Sequence, residues 1–131
     1  MKKKSSITGP ISAQVNTVFI HVTDLKKAAQ WYSDLFGLEI NLEDVHSPVY
    51  NIPVKGDTGI TLDDHAFDAS FQHSPSKNPC FNFFTLNIEE AYTFVKNKGI
   101  KITREIEKVN DNTIWFNIED IDGNQIMICN C

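Results

Sequence analysis

No run of apolar residues in the 131-residue chain approaches the roughly 20 needed to cross a bilayer as a helix. Lys2, Lys3 and Lys4 look like the opening of a signal peptide, but no apolar core follows them. Residues 1–14 are therefore expected to be a flexible N-terminal tail, and the protein is expected to be cytoplasmic, without a membrane partner. Basic residues are also scarce, with 12 Lys and Arg against 17 Asp and Glu and a formal net charge of -5. Phosphate backbones demand a basic face, so nucleic acid is not the expected partner. Cysteine is rarer still: only Cys80, Cys129 and Cys131 are present. An odd, small number argues for free thiols rather than a disulfide framework. The C-terminal C-x-C could bind metal or act in redox chemistry, and the plainer reading is one strand cysteine and one loose terminal residue. What remains is ordinary globular composition, 41% hydrophobic and 22% charged, in a chain long enough for one domain with a core.

The chain repeats itself. At an offset of 63, Asp24-Leu25 falls on Asn87-Ile88, Ala28 on Ala91 and Trp31 on Phe94. At 62, Gly37 falls on Gly99, Leu38 on Ile100 and Ile40 on Ile102. At 66, Tyr50-Asn51-Ile52 falls on Phe116-Asn117-Ile118, and Ile60-Thr61-Leu62 on Ile126-Met127-Ile128. Each copy opens with a β-rich run and continues with an Asp or Asn at a helix N-cap position. An i, i+3, i+4, i+7 apolar stripe follows, Leu25, Ala28, Ala29, Tyr32, Leu35 and Phe36 in one copy and Ile88, Ala91, Tyr92 and Val95 in the other. Gly37 and Gly99 stand at the left-handed stop. Further strands are expected near 39–41, 49–53 and 59–62, then near 101–106, 113–118 and 125–129. The predicted fold is α+β, two βαβββ modules in tandem whose mixed, curved sheets form a cleft. Module one spans 15–62, a connector 63–79 and module two 80–131, together one domain, 15–131.

Strand parity sorts the side chains. Val18, Ile20 and Val22 should back onto the helix, as should Ile60, Leu62, Ile126 and Ile128. The opposite faces then carry Thr17, Phe19, His21, Thr61 and Asp63 in module one, and Cys80, Asn82, Phe84, Met127 and Cys129 in module two. A core face would be more uniformly aliphatic. The mixture suits a small-molecule cleft, mostly apolar with a few placed polar groups. Phe19, Phe84 and Trp115 are the candidates for stacking on a ligand. His21 on such a face is read as a hydrogen-bonding lining residue. Cys80 would need a base such as His21 in reach to act as a nucleophile, and is read as a plain buried thiol. His46, His65 and His73 fall in polar, loop-like stretches and are expected at the surface.

Val18-Phe19-Ile20-His21-Val22-Thr23-Asp24-Leu25, with Trp31-Tyr32 and Leu35-Phe36-Gly37-Leu38, resembles the opening module of vicinal oxygen chelate proteins, the glyoxalase/bleomycin-resistance/extradiol dioxygenase superfamily. Asp120-Ile121-Asp122-Gly123-Asn124 resembles its closing D-P-D-G-N turn, with Ile121 in the place of proline. The resemblance covers nearly all of the chain after the tail. It implies paired modules around a U-shaped pocket and dimerisation. In metal-dependent members, His and Glu from the first and last strands hold a divalent ion, whereas metal-free members sequester antibiotics. Carried over, the first-strand His position, seven residues before the Asp of Asp24-Leu25, is Thr17, and its counterpart is Cys80. The closing Glu position is Met127, and its counterpart is Thr61. Divalent ions in this family want imidazole and carboxylate, which these four do not supply.

The expected function is metal-independent binding of a small, partly aromatic or apolar molecule by a homodimer, with no cofactor. The alternative is a divalent-metal-dependent lyase or dioxygenase with relocated ligands, for which His21, Asp63 and Cys80 are the available set. A pure interaction domain with a filled cleft is the third reading.

Overall fold

The computed structural model describes residues 9–131; the first eight residues of the expected tail, with its three lysines, lie outside them. The elements run β1 (Thr17–His21), α1 (Leu25–Phe36), β2 (Val49–Ile52), β3 (Gly59–Asp63), β4 (Asn82–Phe84), α2 (Ile88–Asn97), β5 (Ile102–Asn110), β6 (Thr113–Glu119) and β7 (Gln125–Cys129). They form two mixed sheets, ordered β1-β3-β2 and β4-β7-β6-β5.

The duplication is written in the pairing register. Phe19 pairs with Thr61 across the parallel β1–β3 ladder, and Asn82 with Met127 across β4–β7. Asn51 pairs with Thr61 across β2–β3, and Asn117 with Met127 across β6–β7. Both sets are related by the offsets of 63 and 66 read from the sequence. The N-caps also hold: Asp24 accepts from the Lys27 amide and Asn87 from the Glu90 amide, so orphan donors of each first turn are satisfied. Gly37 ends α1 in the left-handed conformation at φ 69°, where a side chain would be strained.

One strand is missing. The stretch expected as a strand near 39–41 is irregular and passes into a single 3-10 turn, Leu42–Asp44. The Asn41 side chain accepts from the Glu43 amide and caps that turn, a local bond that competes with strand pairing. Module one is therefore βαββ, whereas β5 in module two completes βαβββ. Cys129 and Cys131 also differ from expectation: they form a disulfide, and only Cys80 is free. Their Cα atoms lie 5.3 Å apart, within the ordinary range for a bridge and shorter than the roughly 6.6–7.2 Å that two extended residues span, so the chain bends at Asn130 to let them meet.

The helix-facing sets pack into a core that runs through both modules. Ile20, Val22, Ile60, Leu62, Ile126 and Ile128 are all buried, as parity requires. Tyr32 and Phe36 of α1 meet Phe83 of β4 edge-on, at centroid distances of 6.3 and 4.8 Å. The Tyr32 hydroxyl, wholly buried, donates to Asp120 Oδ2 at 2.5 Å. Burial and the neighbouring carboxylate push that hydroxyl well above the usual tyrosine range, so it stays protonated and a donor. Tyr32→Phe is expected to destabilise the protein by about 1.5–3 kcal/mol, the range for a hydrogen bond to a charged group. Urea unfolding monitored by circular dichroism measures this; an unchanged midpoint would show that the contact carries no net stability.

Candidate functional site

Each sheet turns one mixed face away from its helix. On sheet one, Thr17, Phe19 and His21 of β1 lie beside Gly59, Thr61 and Asp63 of β3. Phe19 is 53% exposed, whereas Thr61 and Asp63 are buried. On sheet two, the pairs Asn82–Met127 and Phe84–Cys129 continue across β7 to Asn117 and Trp115 of β6. Phe84 is 63% exposed, Asn82 is exposed, and Met127 and Trp115 are half-buried. The Arg104 guanidinium lies over the Trp115 ring, 4.9 Å from its centroid. Cys80, just before β4, is exposed, with its Sγ 4.0 Å from Ser76 Oγ. The expected role of a buried thiol is thus corrected: Cys80 lies in the irregular stretch before β4, outside the ladder that would cover it.

The first-strand and last-strand positions of module one are joined. Thr61 Oγ1 donates to Asn51 Oδ1 at 2.6 Å, and Thr17 Oγ1 lies 2.8 Å from Thr61 Oγ1. A hydroxyl has one proton. Since that of Thr61 goes to Asn51, Thr17 must donate to Thr61. The result is a neutral chain, Thr17 to Thr61 to Asn51, in which each acceptor is used. Module two has Cys80 and Met127 at the matching positions, and no such chain.

His21 and His65 hold each other. His21 Nδ1 is 2.7 Å from His65 Nε2, and Asp63 Oδ2 lies 3.8 Å from that same His65 nitrogen. The carboxylate favours a proton on His65 Nε2, which then donates to His21 Nδ1 and leaves the His21 proton on Nε2. His65 stacks on Phe71 at 3.6 Å and sits at φ 56°, a left-handed conformation that few non-glycine residues adopt. Asp63 Oδ1 accepts from the His65 amide and closes this turn. His65 is therefore not the loose surface residue expected of a polar loop. His73 also has a partner, the Asp122 carbonyl at 2.9 Å, and only His46 is exposed without one. The connector runs from β3 past His21 to the 120–124 turn, where a Cβ on Gly123 would meet Pro75.

Those residues do not amount to a metal centre. Among the described residues, no group of three His, Cys, Asp or Glu is placed to hold an ion. The His21, Asp63 and Cys80 set is not brought together, and the facing nitrogens of His21 and His65 are spent on each other. The four positions implied by the resemblance present two hydroxyls, an exposed thiol and a thioether, a mismatched set for a borderline divalent ion.

The profile of the Glyoxalase/Bleomycin resistance protein/Dioxygenase superfamily matches residues 14–128. The chain belongs to this superfamily. Solved structures agree on the fold. A superfamily member from Sphaerobacter thermophilus is 22% identical, with a TM-score of 0.71 over 90% of this chain and 97% of that one. Lactoylglutathione lyase from Agrobacterium tumefaciens is 21% identical, with a TM-score of 0.64 over 92% and 95%. Oxidase ChaP-H1 is 18% identical, with a TM-score of 0.66 over 92% and 97%. Names as different as lyase and oxidase on one fold leave the reaction unspecified. No curated protein sequence matches the chain.

Sequence parity overlooked Asn117, Arg104 and His65. Asn117 was within reach, two residues from Trp115 on one strand; Arg104 and His65 depended on strand register and on a turn. A groove of about 540 Å³ lies elsewhere, between the end of α1 and the start of α2, lined by Leu35, Phe36, Leu86 and Phe94 among others. None of the residues expected to line the cleft borders it.

Burial, and the nearby His65, lower the His21 pKa, with Asp63 opposing in part. The folded protein therefore resists protonating His21, and the unfolded chain binds the extra proton first. Stability attributable to His21 is present above the ordinary histidine value, about 6.5, and is lost as pH falls below it. A His21→Gln variant is expected to show a smaller drop in Tm than the parent between pH 7.5 and 5.5. Equal drops in the two proteins would remove His21 as the cause.

Proposed function

We propose that the chain is a metal-independent binding protein for a small, partly aromatic or apolar organic molecule, held on the mixed faces of the two sheets. The observation that carries this is the hydroxyl chain Thr17–Thr61–Asn51. It stands where metal-dependent members of the superfamily place ion-binding side chains, and it has no charge with which to neutralise a dication. Exposed Phe19 and Phe84, beside Thr17, His21 and Asn82 on their faces, supply stacking surface.

The same faces support a homodimer. Phe19, Val49 and Phe84 are 53%, 42% and 63% exposed on the non-helical faces of the two sheets. A second copy laid over them would remove this apolar surface from water and close the open faces into clefts. The cytoplasm is the proposed location, and no helix among the described residues is long and apolar enough to cross a membrane.

The test is a thermal-shift screen of aromatic and apolar small molecules, run with and without EDTA, alongside native mass spectrometry. A binder present at 100 times its Kd should add about 2.7 kcal/mol of stability, equally in chelator. The mass should correspond to a metal-free dimer. Loss of binding in EDTA, or one retained metal ion per chain, would overturn the proposal. Phe84→Glu is expected to shift the dimer toward monomer in light scattering, and an unshifted mass would take Phe84 out of the interface.

A further inference from the structure

The two asparagines at equivalent places in the duplicated ladders are in different states. Asn51 Oδ1 is satisfied by the Thr61 hydroxyl at 2.6 Å. Asn117 occupies the same register position opposite Met127 and is 9% exposed, and its Oδ1 is buried with no hydrogen-bond partner. The difference has a plain cause: where module one has a hydroxyl donor, module two has a thioether, which donates nothing. Arg104, the neighbour of Asn117 on β5, does not compensate, because its guanidinium is turned over the Trp115 ring and bonded to Glu107 at 3.1 Å. A buried acceptor left without a donor is uncommon in a native fold and calls for an explanation.

Its surroundings supply one. Across sheet two, Asn82, Met127 and Asn117 form one row, and Phe84, Cys129 and Trp115 form the next, two residues along each strand. Same-face rows in a sheet lie about 7 Å apart. That spacing matches an aromatic ring on one row with a polar substituent on the other. The terminal torsion of asparagine is soft, so the amide turns its oxygen to the open side at little cost. Met127, unbranched and half-buried, can move aside.

From this we infer that Asn117 is the specificity-determining acceptor of the module-two face. It selects aromatic ligands whose O–H or N–H donor reaches an acceptor about one strand repeat from the centre of the stacked ring. The inference rests on the small-molecule reading above and narrows it to a ligand class.

The test uses 2-naphthol and its methyl ether, which differ in the single donor, titrated against the full-length protein by fluorescence and thermal shift. 2-Naphthol is expected to bind at least tenfold tighter. Asn117→Ala should abolish the preference while leaving the ether's affinity unchanged. In parallel, Met127→Thr and Met127→Val are compared without ligand, since they differ only in a hydroxyl. The hydroxyl introduced by Met127→Thr would reach Asn117 as Thr61 reaches Asn51. The Met127→Thr variant should therefore melt several degrees higher than the Met127→Val variant, and it should lose the preference for 2-naphthol. Binding of both compounds with equal affinity, or a preference that survives in Asn117→Ala, overturns the inference and leaves the small-molecule reading intact. Binding of neither counts against both. A Met127→Val variant as stable as Met127→Thr shows that the Asn117 acceptor lacks nothing, and overturns the inference without reference to any ligand.

Discussion

Asp120 is 5% exposed and accepts from four directions. Its Oδ1 takes the amides of Asp122 and Asn124, and its Oδ2 takes the Tyr32 hydroxyl and the Asn124 side-chain amide. A buried carboxylate is tolerated only when it is compensated in this way. Asp120 thereby shapes the turn at 120–124 and ties α1 of module one to module two. The same turn grips the end of β1, because Asp122 accepts from Thr23 and Asn124 donates to the His21 carbonyl. The position of His21, and through it the connector that carries His65 and Phe71, follows from this attachment. Ile121 stands where the family's turn has proline, and the substitution is accommodated because the side-chain bonds, rather than a rigid ring, close the turn.

The duplicated halves keep their backbone register and diverge in side-chain chemistry. Module one saturates the inner positions of its mixed face with a hydroxyl chain. Module two places Met127 in the same position and leaves an amide without a partner. Structural symmetry thus carries chemical asymmetry: the polar side chains at the inner positions of one face are bonded to one another, and the matching amide oxygen of the other is not. Among the described residues, neither half places three His, Cys, Asp or Glu side chains where they could hold an ion.

Much of the fold was legible in the sequence because its signals are local and periodic. The caps at Asp24 and Asn87, the stop at Gly37, the aliphatic parity of Ile20, Ile60 and Ile126, and the offsets of the repeat all reappear in the structure. The missing strand at 39–41 was not legible, because a short apolar pair, Leu38 and Ile40, fits a strand and an irregular core segment equally well. The Cys129–Cys131 bridge was missed because an odd, small cysteine count argues for free thiols, and the bend that brings the two within 5.3 Å carries no periodic signal. Of the residues expected to line a cleft, strand parity placed Thr17, Phe19, His21, Thr61 and Asp63 on one face and Asn82, Phe84 and Met127 on another, as the ladders do. It assigned Cys80 a buried position, whereas β4 begins only at Asn82 and leaves Cys80 exposed in the preceding loop.

Alternation and repeat length, read along the chain, determined the duplication and the facing of each strand, while the motifs at 18–25 and 120–124 carried the resemblance to the superfamily and, through it, the residues expected at the ion-binding positions. Only the tertiary structure decided which polar groups found partners. The bonds of Thr61 to Asn51, His65 to His21 and Tyr32 to Asp120 join residues 10, 44 and 88 positions apart. Hydrogen bonds require donor and acceptor within about 3 Å, and no periodicity in a sequence specifies that distance between remote segments.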